Sequence, residues 1–250
     1  MRQLILHIPH SSTYFPNYEG FIINQQTLES EVLKLTDWYT ENLFDSGEDI
    51  RVVAPFSRIF CDVERFADDN MEEMARYGAG VCYEKLDSGE EMREVTRDLK
   101  EHILNTYYYP HHQKLKQAVD GQLQENGKAV IIDCHSFPDT PFVRDLDQHP
   151  KRPDINIGSD KYHTPERLIE ETEEFFKEQG LEVGLNRPYS GTMVPLEYYQ
   201  KDEHVSSIMI EVNRRLYLNS GTNEINEHYS AVREMIRAYI DYIKTLTAKR

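Results

Sequence analysis

Ala129-Val130-Ile131-Ile132-Asp133-Cys134-His135-Ser136 decides the fold class. Four apolar residues run directly into four polar ones. An apolar run of this length with polar bounds reads as a strand buried on both faces. In open α/β sheets, ligands bind just beyond the carboxyl ends of such strands. His135 therefore stands where a catalytic or metal-binding side chain would stand.

Outward from this strand, apolar runs and helical spacings alternate. Gln3 to Ile8 reads as a first strand ended by Pro9. Thr27 to Phe44 has helical spacing through Leu28, Val32, Leu35, Tyr39 and Leu43, with Gly47 beyond. Arg51 to Pro55 and Arg58 to Val63 read as short strands, and Phe66 to Glu90 as a flap or surface excursion. Glu91 to Tyr109 reads as a helix, and Pro110 starts another that stops near Gly127. The central strand spans Ala129 to Cys134, and Phe137 to Tyr162 is a long loop. Thr164-Pro165-Glu166 reads as a helix start with Thr164 as N-cap, and that helix ends at Gly180. Leu181 to Leu185 and Val205 to Val212 are strands, and Asn223 to Leu246 is the last helix. Strands alternating with helices imply an α/β fold, a mixed, mostly parallel sheet covered on both faces. Neither repeats nor a linker divide the chain, so residues 1–250 are expected to form a single domain.

The composition narrows the partners. A chain of 250 residues can bury a core without disulfides or a structural metal. The net charge of -16 argues against nucleic acid, which needs a basic face. It is compatible with a small acidic substrate held by local arginines. Cys61, Cys82 and Cys134 are widely spaced and form neither a disulfide framework nor a zinc motif. A reduced, cytoplasmic setting is expected. The apolar run after Gln3 is shorter than a secretory leader, and no stretch nears the roughly 18 apolar residues of a membrane span.

Four polar clusters sit where strands or helices should end: His7-Ile8-Pro9-His10-Ser11-Ser12, Ser57-Arg58 through Asp62-Val63-Glu64-Arg65, Asp133 to Ser136, and Glu211-Val212-Asn213-Arg214-Arg215. Packing alone does not place histidines, acids and arginines repeatedly at strand ends. A catalytic zinc takes three ligands from His, Asp or Glu and keeps one position open. His10 and His135 suit it. The third ligand is a carboxylate, with Asp37 and Glu64 both open as choices. Glu211, directly after Ile208-Met209-Ile210, is placed to be a general base in a dry site. Arg65 could grip a substrate carboxylate with its planar fork.

The ordered set His7-Ile8-Pro9-His10-Ser11, Thr36-Asp37-Trp38, Ser57-Arg58, Asp62-Val63-Glu64-Arg65, His112, Asp133-Cys134-His135-Ser136, Pro188-Tyr189-Ser190-Gly191 and Glu211 to Tyr217 resembles the N-formylglutamate amidohydrolase family. The resemblance implies a three-layer sandwich like that of zinc carboxypeptidases and aspartoacylases. It also implies one zinc ion and hydrolysis of an N-acyl amino acid, typically N-formyl-L-glutamate in histidine degradation. It places His10, Asp37 and His135 on the metal, Glu211 in catalysis, and Arg65, Arg58, His112 and Arg214 on substrate. A monomer or small homo-oligomer is expected. The rivals are a related deacylase or carboxypeptidase-like enzyme, or a non-catalytic sensor of an acidic metabolite. Two departures stand out. Glu64 replaces the family's Asn, where an acid disfavours an anionic substrate or itself binds metal. His10-Ser11-Ser12 replaces Pro-His-Ser-Gly.

The remaining polar residues have plainer readings. Alternation turns His7 away from the face of Ile8, which suits a structural role. Asp133 would orient a ligand histidine through its second nitrogen. Arg214 could pair with Glu211 instead of gripping substrate. Cys134 points away from His135 into the packed sheet and is not expected to be a nucleophile. The acid-rich stretch Glu170 to Glu178 reads as a solvated helix face.

Overall fold

The structure, a computed structural model, describes residues 3–248. The elements are β1 (Ile5–Ile8), α1 (Gln25–Leu35), α2 (Thr40–Leu43), β2 (Ile50–Val53), α3 (Arg97–Ile103), α4 (Tyr109–Asn126), β3 (Ala129–Phe137), β4 (Ile155–Gly158), α5 (Glu166–Glu178), β5 (Val183–Leu185), β6 (Val205–Asn213) and α6 (Tyr229–Ala248). A π-turn over Leu104–Tyr108 joins α3 to α4. The strands form one sheet in the order β2-β1-β3-β6-β4-β5. It is parallel from β2 to β6, and β4 pairs antiparallel with β6. The expected mixed, mostly parallel sheet is thus observed.

Alternation along the strands separates two faces. Leu4, Leu6, Ile8, Val130, Ile132, Cys134, Ile208, Ile210 and Val212 pack against Leu43, Phe44, α5 and α6. Ile5, Ala129, Ile131 and Val205 pack against Leu115 and Val119 of α4. Each fully buried Val, Leu, Ile or Phe side chain among them stabilises the fold by about 1.5–3 kcal/mol. The second face carries the polar residues. His7, Asp133, His135 and Glu211 follow Ile5, Ile131 and Val205 in strict alternation. From β1 the chain crosses to β2 on one side, and β3 lies on the other. The carboxyl ends of β1 and β3 therefore flank a switch point, the place where a crevice forms in open α/β sheets.

Over this end lies a third apolar cluster. It joins Phe15, Leu28, Leu35, Phe60, Val63, Val81, Tyr83, Leu99 and Ile103. Residues 66–90, expected as a flap or excursion, contribute Ala79, Val81, Cys82, Tyr83 and Leu86 to it and so form a packed wall.

Several local expectations change. The helix expected over Thr27 to Phe44 is broken. Thr36 is extended, Tyr39 has φ 63°, and the Asp37 amide donates to His10 O at 2.9 Å. Leu35, Tyr39 and Leu43 keep helical spacing across the break, which hides it. Arg58 to Val63 forms turns, because Asp62 and Arg58 bond side chains rather than a neighbouring strand. The α3 helix starts at Arg97, capped by Thr96, rather than near Glu91. β3 continues to Phe137, so His135 lies within the strand. The loop from Phe137 to Tyr162 contains β4. Thr164 does not cap α5: its hydroxyl donates to Ser207 O at 2.7 Å, tying the helix start to β6. The last helix begins at Tyr229.

Candidate active site

The register of β3 and β6 sets His135 directly beside Glu211. His7, two residues before Pro9, pairs in register with Asp133. The chain leaving β1 delivers His10, and the break between α1 and α2 delivers Asp37. His10, Asp37, Arg58, Glu64, Arg65, His135, Glu211 and Arg214 line one cleft of about 330 Å³. His112 does not join them. It lines a neighbouring cleft with Glu64 and Arg65, and its Nε2 faces Val63 O at 2.8 Å.

His10 is held by one nitrogen. Its Nε2 lies 2.9 Å from Asp62 Oδ1. Asp62 stays well below the usual carboxylate range: burial opposes ionisation, but Arg58 and His10 outweigh it. An ionised acceptor requires Nε2 to carry the proton. Arg58 and the Tyr83 hydroxyl donate to the other Asp62 oxygen at 2.9 Å each. In the neutral ring Nδ1 of His10 is then the unprotonated nitrogen. Burial and Arg58 disfavour the charged ring, but Asp62 and Asp37 outweigh them and raise its pKa. Nδ1 is buried and has no hydrogen-bond partner among the described residues. The facing atom is Asp37 Oδ2, 3.7 Å away.

His135 is flanked by carboxylates on both nitrogens. Nδ1 lies 3.1 Å from Asp37 Oδ2. Nε2 lies 3.1 Å from Glu64 Oε1 and 3.2 Å from Asp133 Oδ1. Burial would lower its pKa, yet Glu64, Asp133 and Asp37 hold it well above the ordinary value. Asp133 is itself anchored: Oδ1 accepts from His7 Nδ1 at 2.8 Å and Oδ2 from the Met193 amide at 2.8 Å. His7 in turn meets His111 at 2.9 Å, and burial lowers the His111 pKa to about 2.

Asp37 is positioned by Arg214. Nη2 donates to Asp37 Oδ1 at 3.1 Å, while Nε, Nη1 and Nη2 also donate to Ser136 Oγ, Lys34 O and Ser136 O. Arg214 therefore pairs with Asp37 rather than with Glu211. Arg65 is freer. Its closest carboxylates are Asp62 at 3.7 Å and Glu72 at 3.9 Å, and its Nε has no hydrogen-bond partner among the described residues.

Glu211 is buried, and its Oε2 has no partner among the described residues. Burial raises its pKa to about 8, with Asp37 and Glu64 adding to the rise and His135 and Arg58 opposing it. Cys134 lies on the opposite face of the sheet, fully buried, and burial pushes its thiol well above the ordinary value. It is no nucleophile.

Two donor sets come together: His10, Asp37 and His135, all buried, and His7, Glu64 and Asp133. Around them Asp37, Asp62, Glu64, Asp133 and Glu211 face Arg58, Arg65 and Arg214. Two negative charges are in excess when every acid is ionised and the histidines are neutral, and one when His135 is charged. A buried excess of that size calls for protonation or a divalent cation. The short His-x-x-Glu spacing from His163 to Glu166 has no such role. Both His163 ring nitrogens are taken, by Val205 O at 2.7 Å and the Gln200 amide at 2.8 Å.

From sequence Asp62 stood out only as part of a cluster, without a role of its own, and Arg144 did not stand out. The spacing of Asp62 four residues after Arg58 was the available signal; nothing local marks Arg144.

Fold and site together define an α/β protein whose buried imidazole and carboxylate donors converge at a sheet's switch point beside an unpaired acid. The chain belongs to the N-formylglutamate amidohydrolase family, whose profile matches residues 2–218. It is 24% identical over 227 residues to an N-formylglutamate deformylase of Pseudomonas putida, covering 86% of this chain and 81% of that protein. A Pseudomonas aeruginosa N-formylglutamate deformylase is 22% identical over 86% of this chain and 82% of its own length. The crystal structure of N-formylglutamate amidohydrolase from Ralstonia eutropha JMP134 superposes with a TM-score of 0.82 at 25% identity, over 97% of this chain and 94% of that one. Among the described residues, no helix is long and apolar enough to cross a membrane.

Proposed function

We propose that the protein hydrolyses the amide bond of an N-acyl amino acid, with N-formyl-L-glutamate as first candidate, and that a divalent cation, zinc by preference, is held by His10 Nδ1, His135 Nδ1 and Asp37. The observation that carries this reading is the unpaired, buried His10 Nδ1 facing Asp37 Oδ2. Asp62 fixes the other nitrogen, the arrangement in which a carboxylate orients a ligand imidazole. His135 repeats it, with Glu64 and Asp133 on Nε2. The free nitrogen of His10 lies on the Asp37 side, which supports Asp37 over Glu64 as the third ligand. Two nitrogens and one oxygen suit zinc, and the excess negative charge suits a dication. Such an ion supplies Lewis acidity, lowering the pKa of a water toward neutrality and polarising a carbonyl.

The chain's own groups do the rest. Glu211 Oε2 is the open proton acceptor: it takes a proton from the attacking water and returns it to the departing amide nitrogen. Arg65 grips a substrate carboxylate. Arg58 and Arg214 act at one remove, holding Asp62 and Asp37. His112 borders the neighbouring cleft, where it can touch a larger substrate. The relatives' names, N-formylglutamate deformylase and amidohydrolase, support the substrate.

The test is release of formate, acetate or succinate from N-formyl-, N-acetyl- and N-succinyl-L-glutamate by the metal-loaded protein. Turnover of the formyl compound supports the reading. Turnover of another acyl group alone replaces the substrate, and turnover of none favours a sensor.

A further inference from the structure

Arg144 lies on the segment between β3 and β4, and its side chain is 7% exposed. It lines the same cleft as His10, Arg65, His135 and Glu211. Two buried acids fix it. Its Nη2 donates to Glu31 Oε1 at 3.3 Å, and its Nε lies 3.7 Å from Asp87 Oδ1. The Val143 and Arg144 amides donate to Asp87 at 3.1 and 3.2 Å. Asp87 is held in turn by its own amide on Glu31 Oε1 at 2.6 Å. The guanidinium carbon sits 5.0 Å over the Tyr83 ring, and the Tyr83 hydroxyl bonds Asp62. Backbone, acids and ring thus fix the plane of the guanidinium from several sides.

One donor is left over. Nη1 of Arg144 is buried and has no hydrogen-bond partner among the described residues. A buried charged donor without an acceptor costs free energy, and such groups are rare unless a ligand satisfies them. Lys34 lies 3.2 Å from Glu31, so Arg144 and Lys34 balance Glu31 and Asp87. The cluster is neutral as it stands, and Nη1 is a donor it leaves unsatisfied.

We propose that Arg144 is a second carboxylate-binding arginine, which selects substrates with an acidic side chain while Arg65 takes the other carboxylate. This rests on the reading of the cleft as one for amino-acid derivatives. It adds a specificity determinant on the segment between β3 and β4.

Calorimetric titration of the metal-loaded protein with glutarate and with pentanoate tests it. The two probes share a five-carbon chain and differ by one carboxylate. The native protein should bind glutarate at least about 10-fold more tightly, and R144Q should bring the two within about 2-fold. R144K decides the matter where R144Q does not fold. Lysine keeps the charge beside Glu31 and Asp87 but lacks the rigid fork, so the preference should still be lost. An unchanged glutarate preference in R144K, or none in the native protein, would overturn the assignment. A glutarate preference that the native protein shows and the variants lose, without turnover of N-formyl-L-glutamate, would instead overturn the proposed reaction and leave Arg144 its role.

Discussion

His135 and Glu211 are register partners on adjacent parallel strands, β3 and β6, and both side chains belong to the polar face of the sheet. A rigid, fully paired ladder therefore sets the spacing between the proposed ligand and the proposed base. Sites carried on strands hold their geometry better than sites on loops.

Glu211→Gln removes the proton acceptor and keeps the volume. Turnover should fall about 10²–10⁴-fold, the range for a lost general base. Metal content should stay unchanged. Equal losses of activity and metal would show that Glu211 acts as a ligand instead.

The pH profile should carry the signature of Glu211. Burial lifts its pKa to about 8, so the ionised, proton-accepting form gains as pH rises. A bound dication attracts the carboxylate's charge and pulls that value down. Accordingly, kcat/KM should rise with pH with unit slope, with a midpoint between the ordinary 4.5 and about 8. Glu211→Asp should move the midpoint, and the residual activity of Glu211→Gln should lose the limb. A limb unaltered in both variants would assign it elsewhere.

Asp62→Asn should loosen His10 without touching the three proposed ligands. Loss of such an orienting carboxylate weakens metal binding about 10–100-fold. Competition against a chelator measures it, and unchanged affinity would deny Asp62 its orienting role.

Arg214→Met removes the guanidinium that bonds Asp37 and leaves this buried carboxylate only His135 at 3.1 Å and Arg58 at 4.0 Å as charged neighbours. Removing one member of a buried pair costs about 3–5 kcal/mol. Urea unfolding of the metal-free protein should show that loss, and added zinc should restore part of it by binding the native state.

The sheet was legible because its strands are apolar runs bounded by polar clusters, as in Ala129 to Ser136. His10, His135 and Glu211 stood out for the same reason: polar groups directly after buried strands need partners. Asp37 was placed by resemblance, since its backbone break lies inside a continuous helical spacing from Leu28 to Leu43. The break exists because the Asp37 amide bonds His10 O, a contact between segments that local spacing does not encode. β4 escaped notice because Ile155 to Gly158 is four residues long within a proline-rich stretch. Arg144 was invisible for a similar reason: its meaning depends on Glu31 and Asp87, which are distant in sequence.

The central claim is that His10, Asp37 and His135 hold one divalent cation. Elemental analysis of the purified protein, beside His10→Ala and His135→Ala, tests it most directly. The account predicts one zinc or similar ion per native chain and near-complete loss in both variants. No stoichiometric metal in the native protein, or undiminished metal in the two variants, would contradict it.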